Sequence, residues 1–197
     1  MKKTVSLLIA AILCLLSTAG LAAAWTVPGN SSSGSSGGSG SSYSVTARLI
    51  DDLATRSGPS TSYTGCGSYK MKGQTVTVLS RAYDHGGVLW VEIEFSYGGG
   101  YRRAWTGAKR LDISSSRLAM LPEADFTTFL GYGTINSYTI PRFGPGTMYS
   151  TYGDRDYRQG NQVAVIDSEN GYYLVESYHT DGSVLRCWVP ASSINMN

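Results

Sequence analysis

Charge is scarce in this sequence, and what there is cancels. Only 15% of the 197 residues are Asp, Glu, Lys or Arg. With Lys2 and Lys3 of the N-terminal segment set aside, 14 basic residues face 14 acidic ones. A balance near zero offers no electrostatic argument for nucleic acid as a partner. Histidine is limited to His85 and His179, each beside turn residues and in no zinc-type spacing. Beyond the N-terminal segment, cysteine is limited to Cys66 and Cys187, with no metal pattern and no nucleophile motif around either. The chain therefore reads as non-catalytic, with no cofactor and no metal. No stretch shows a ten-residue amphipathic helix. After residue 24 no apolar run is long enough to cross a bilayer.

The N-terminal segment is the apolar exception. Lys2 and Lys3 precede an apolar run from Val5 to Leu16, and Ala22, Ala23 and Ala24 follow. Basic start, short apolar stretch and small residues are the anatomy of a secretory signal peptide, assigned to residues 1–24. Export to the medium or the cell surface follows, with a membrane contact only if the segment stays uncleaved. Residues 25–44 are dominated by Ser and Gly and read as a flexible tether. In an exported chain Cys66 and Cys187 are permitted to pair, and the sequence leaves that open.

The rest of the chain repeats itself. "ATRSGPSTSY" at 54–63 returns as "IPRFGPGTMY" at 140–149, sharing Arg, Gly, Pro, Thr and Tyr in order. The match extends on both sides. "KGQTVTVL" from Lys72 lies over "QGNQVAVI" from Gln159, "WVEIE" from Trp90 over "YYLVE" from Tyr172, and "RAWTGAKRL" from Arg103 over "RCWVPASSI" from Arg186. This is a tandem duplication. It divides the chain into a first unit at 45–113, a linker at 114–128 with room for a helical turn, and a second unit at 129–197. Residues 44–113 hold nine basic against six acidic residues, and 114–197 five against eight. These opposite signs either favour docking of the halves or are incidental.

Each unit reads as β. "TVTVLS", "WVEIEF", "QVAVID" and "YYLVES" alternate apolar and polar residues, the period of strands with one buried face. "DHGG", "ENG", "YGGG" and "TDG" stand between strands, where Gly after Asn or Asp suits a tight turn. Short strands in units this small predict small barrels. The succession "TRSGPSTSY", "KGQTVTVLS", "LWVEIEF", "RRAWTGAKRL" resembles the bacterial SH3-like (SH3b) domain family. The second unit, ending in "WVPASSI", resembles it too, with Pro141 and Phe143 flanking its arginine and Tyr172 in place of Trp. The resemblance implies an all-β fold of two tandem SH3-like β-barrels. It also implies a non-catalytic, exported module that targets the cell wall through peptidoglycan peptide. The alternative is a protein-interaction or structural subunit of a surface assembly.

In the repeated string, Gly58, Gly144, Pro59 and Pro145 read as backbone requirements of a loop. Arg56 and Arg142 are placed to pair with a carboxylate or carbonyl across the loop base. Tyr63 and Tyr149 are expected to pack on a barrel with wet hydroxyls. Loop aromatics supply area at low rotamer cost, as peptide grooves of SH3 type do. The candidate ligand-binding residues are therefore Arg56, Tyr63, Tyr69, Tyr97, Tyr101, Tyr149, Tyr152 and Tyr157. The competing reading is that thin cores need such aromatics as plugs. Trp90, Trp105 and Trp188 are expected in the core or at its rim.

Overall fold

The computed structural model describes residues 43–126, 128–153 and 155–197. The signal peptide at 1–24 and nearly all of the tether at 25–44 lie outside them.

The fold is all-β, in two sheets, one of them curled into a half-barrel. In the first half the strands are β1 (Val45–Leu49), β2 (Leu53–Arg56), β3 (Gly65–Tyr69), β4 (Thr75–Tyr83), β5 (Leu89–Tyr97), β6 (Gly100–Gly107) and β7 (Leu111–Asp112). In the second they are β8 (Gly131–Ile135), β9 (Gln162–Glu169), β10 (Tyr172–Tyr178), β11 (Val184–Pro190) and β12 (Ile194–Met196). The first sheet runs β3-β2-β6-β5-β4-β1-β7 and the second β11-β10-β9-β8-β12. The run from β6 to β7 thus matches the whole second sheet, strand for strand.

The match extends to an irregularity. In β4–β5, Ile93 pairs with Val78 and Glu92 with Ser80, so Leu79 is skipped. In β10–β9, Val175 pairs with Val165 and Leu174 with Asp167, so Ile166 is skipped. A bulge thus interrupts both ladders at the same position, where extra residues bend and twist a strand. The register also makes Ala82, opposite Trp90, the counterpart of Glu169, opposite Tyr172.

The turns follow the sequence. Asn170 and Gly171, alone between β9 and β10, have φ of 51° and 79°. Two positive values make the hairpin turn whose twist suits paired strands. The first half has its own core around Leu49, Leu53, Val76, Val78, Val91 and Ile93. The second is built on Ile135, Val163, Val165, Val175, Leu185 and Val189. Cys66 of β3 packs against that second core, across from Cys187. Both cysteines are free thiols, so the pairing left open by the sequence is absent.

The linker carries the expected helical turn, α1 (Ser115–Met120), with Ser114 Oγ accepting from the Arg117 amide at its start. Beyond it the chain runs beside β4. The Arg81 amide donates to Pro122 and the Ala124 amide to the Arg81 carbonyl, at 3.0 and 2.8 Å. This places Phe126 against Trp105, with ring centroids 5.7 Å apart.

Candidate functional site

The repeated string is the clasp between the halves. In each copy the arginine holds the base of its own loop. Arg56 donates to the Tyr63 carbonyl at 2.7 Å, and Arg142 to the Tyr149 carbonyl at 2.8 Å. A Cβ on Gly58 would fall inside the Tyr63 ring, and one on Gly144 inside the Tyr149 ring. Glycine is required here by close approach. Each loop thereby presses its tyrosine outward onto the other half.

The contacts are reciprocal. Tyr63 donates to Glu176 at 2.9 Å, accepts from Arg186 Nη2 at 3.0 Å, and its ring lies under the Arg186 guanidinium. Tyr149 donates to Glu94, and its ring lies under the Arg103 guanidinium. Short backbone bridges accompany both. The Thr64 amide donates to Val184 at 2.8 Å, and the Ser150 amide to Tyr101 at 2.9 Å. Residues 62–64 correspond to 148–150, and Val184 to Tyr101. One chain thus makes the self-complementary contact that a two-fold dimer makes between subunits. Tyr149 is buried and Tyr63 half-buried, each with its hydroxyl bonded to the other half. Burial pushes the Tyr63 hydroxyl well above the ordinary tyrosine range, and burial followed by the Glu94 hydrogen bond does the same for Tyr149.

Behind the clasp lies a cavity of about 210 Å³. Trp105 and Trp188, from equivalent places on β6 and β11, stand in its wall with Arg103 and Arg186. Ser80 and Glu92 line it from the first half, Ile166 and Leu174 from the second, and Ala124 and Phe126 from the linker. Both tryptophans are buried, as expected, yet they also face this space. Glu92 accepts from Ser80 Oγ at 3.0 Å. Burial raises its pKa despite the opposing pull of Arg103. Asp125, Asp167 and Glu169 add further carboxylates to its lining.

The two arginines are not equally satisfied. Arg103 donates to Glu94 at 3.0 Å and reaches Glu169 through both terminal nitrogens, at 2.7 and 3.2 Å. Arg186, only 5% exposed, gives Nε and Nη2 to Glu176 Oε1. Its Nη1 is buried and has no acceptor among the described residues. Its Cζ lies over two aromatic rings, 4.2 Å from the Phe126 centroid and 5.0 Å from that of Tyr63.

The eight candidate residues are divided by this arrangement. Arg56, Tyr63 and Tyr149 form the clasp. Tyr152 is buried and stacks on Phe143 at 3.8 Å. Tyr157 is buried, with its hydroxyl 2.7 Å from Ser177 Oγ. Tyr69 is buried and donates to the Cys66 carbonyl at 2.6 Å. Tyr97 and Tyr101 are exposed. Arg102 lies over both Tyr69 and Tyr97, which face each other edge to face at 4.6 Å. Sequence reasoning missed Glu92, Arg103, Glu169, Phe126 and Arg186 as cavity residues. The signal available was the equivalence of Arg103 and Arg186 beside the two tryptophans. Neither a family model, nor a curated protein, nor a solved structure matches the chain.

Proposed function

We propose that this protein is a non-catalytic, exported binding module made of two tandem bacterial SH3-like barrels, and that it grips a cell-wall peptide in the cavity between them. The strand order repeated in both sheets supports the tandem reading. The observation that carries the binding reading is the cavity itself, where apolar tryptophan walls meet buried groups of both charge signs. Wall peptides carry carboxylates and amines on a short backbone, and a pocket with a few convergent polar groups suits such a ligand. Retention of the purified protein on isolated peptidoglycan at low salt tests this. Free passage through that material would refute the wall assignment.

One observation favours the second reading, a subunit of a surface assembly. Phe129, Leu130, Tyr132 and Met196 are exposed side chains on the β8–β12 edge. Phe129 and Tyr132 meet edge to face at 4.9 Å, and the Tyr132 carbonyl accepts from the Asn197 amide. Such a patch is the kind of surface that docks a protein. On this reading a Tyr132→Ser protein loses a specific partner while its retention on peptidoglycan is unchanged.

A further inference from the structure

Arg186 is the arginine that the duplication left unfinished. Its twin, Arg103, is closed by two carboxylates: Glu94 from its own half and Glu169 from the other. For Arg186 the first role is filled by Glu176, the counterpart of Glu94. The second role falls to the position equivalent to Glu169, which is Ala82. Ala82 is buried in a cluster with Trp90 and Trp105, against which Ala124 and Phe126 pack. The acceptor that satisfies one arginine has no counterpart for the other: Arg186 lines the cavity, and its buried Nη1 has no acceptor among the described residues.

The geometry points to a carboxylate of the bound peptide as the group that completes Arg186, entering the cavity to accept from Nη1. The inference rests on the cavity being the ligand site. A buried cationic donor without an acceptor is costly, and an incoming anion recovers that cost. The guanidinium is already held by Glu176 through two nitrogens and contacts the Tyr63 and Phe126 rings, so the open donor needs little reordering. Glu92 lines the same cavity, and burial there favours its uncharged form. Asp167 and Glu169 in the lining set the opposite sign beside it, suited to the amine of a zwitterionic peptide. Phe126, brought in by the linker, supplies an apolar wall against Arg186.

The test uses N-acetylglycine and its amide, read by the indole N–H signals of Trp105 and Trp188. The acid is expected to give saturable shifts at least tenfold tighter than the amide. Ala82→Glu supplies the missing carboxylate from the protein and is expected to bring the acid down to the amide. Asp167→Asn removes a negative charge from the cavity lining at an exposed position and leaves both arginines with their carboxylates. It is expected to tighten the acid several-fold and leave the amide unchanged, so a poorly folded Ala82→Glu does not leave the matter undecided. N-acetylglutamate α-amide against N-acetylglutamine α-amide asks the same of a side-chain carboxylate as the glycine pair asks of a chain-terminal one, and acid selectivity in either pair supports the site. Equal binding of acid and amide by the native protein in both pairs overturns the proposal, as does a folded Ala82→Glu that keeps the selectivity. Retention on peptidoglycan without acid selectivity removes the carboxylate site but keeps the wall module. Acid selectivity without retention does the reverse.

Discussion

Removing one hydroxyl, in Tyr63→Phe, measures how firmly the two halves are joined. The hydroxyl donates to Glu176 at 2.9 Å and accepts from Arg186 at 3.0 Å. Hydrogen bonds to charged groups contribute about 1.5–3 kcal/mol each. Glu176 and Arg186 keep one another, so the two losses do not add in full, and the expected cost is about 2 kcal/mol. The ring stays, and with it the stacking on Arg186, worth about 1–2 kcal/mol at a desolvated site. For a domain near 150 residues, about 2 kcal/mol lowers the melting temperature by roughly 4–8 °C. Urea unfolding followed by tryptophan fluorescence and far-ultraviolet circular dichroism gives the number. The native protein is expected to unfold in one transition, because each tyrosine docks on the other half. Tyr149→Phe attacks the equivalent contact at Glu94 and should lower the same transition. A Tyr63→Phe cost under about 0.5 kcal/mol, the ordinary range of surface changes, would refute the clasp. So would two separate transitions in the native protein.

Three further outcomes follow from the same geometry. Gly58→Ala forces a methyl into the Tyr63 ring and is expected to cost more than Tyr63→Phe, beyond the roughly 1–3 kcal/mol of overpacking, whereas Gly65→Ala, with open space around it, stays within about 0.5 kcal/mol by the same urea assay. Glu92 has a raised pKa when folded, so the folded state holds its proton more tightly than the unfolded one, and its stabilising effect falls away as pH rises from the unfolded value through the folded one. Glu92→Gln should accordingly be more stable than the native protein at neutral pH and lose that advantage below the ordinary glutamate range, as melting temperatures across pH will show. Burial pushes the Cys66 thiol up to about 11 and the Cys187 thiol up to about 12. At mildly alkaline pH their labelling by an aromatic disulfide reagent should wait for unfolding, and rapid labelling of the native protein would contradict that.

Strands, hairpins and the duplication were legible because they depend on local pattern. "VTVLS" must alternate to bury one face, and Asn170-Gly171 must turn where it does. The hydroxyl environment of Tyr63 was not legible. Its partners Glu176 and Arg186 lie more than a hundred positions away and belong to the other copy, a pairing that no spacing within one repeat announces. The same string therefore supported a loop plug or a ligand contact. The structure adds a third role for Tyr63 and Tyr149, a reciprocal contact on the other half, with Arg56 and Arg142 holding the loop bases. Tyr97 and Tyr101 remain on the outside, with Arg102 over Tyr97 and the Tyr101 ring 6.5 Å from Tyr149.

Duplication explains why a site can arise on the seam. Two identical copies docked about a two-fold would satisfy both arginines or neither, since whatever closes one closes its mate. Once the copies share a chain, each position is free to differ. Glu169 against Ala82 is such a difference, and so are Leu174 against Glu92 and Ile166 against Leu79. The second half lines the cavity with apolar side chains, and the first with a buried carboxyl and a serine. The linker, which has no counterpart in the other direction, lays Phe126 on Arg186. The clasp keeps its symmetry because both halves need it for stability. The cavity behind it is not symmetric, and a pocket with a polar side, an apolar side and one guanidinium N–H without an acceptor can distinguish the two ends of a small ligand.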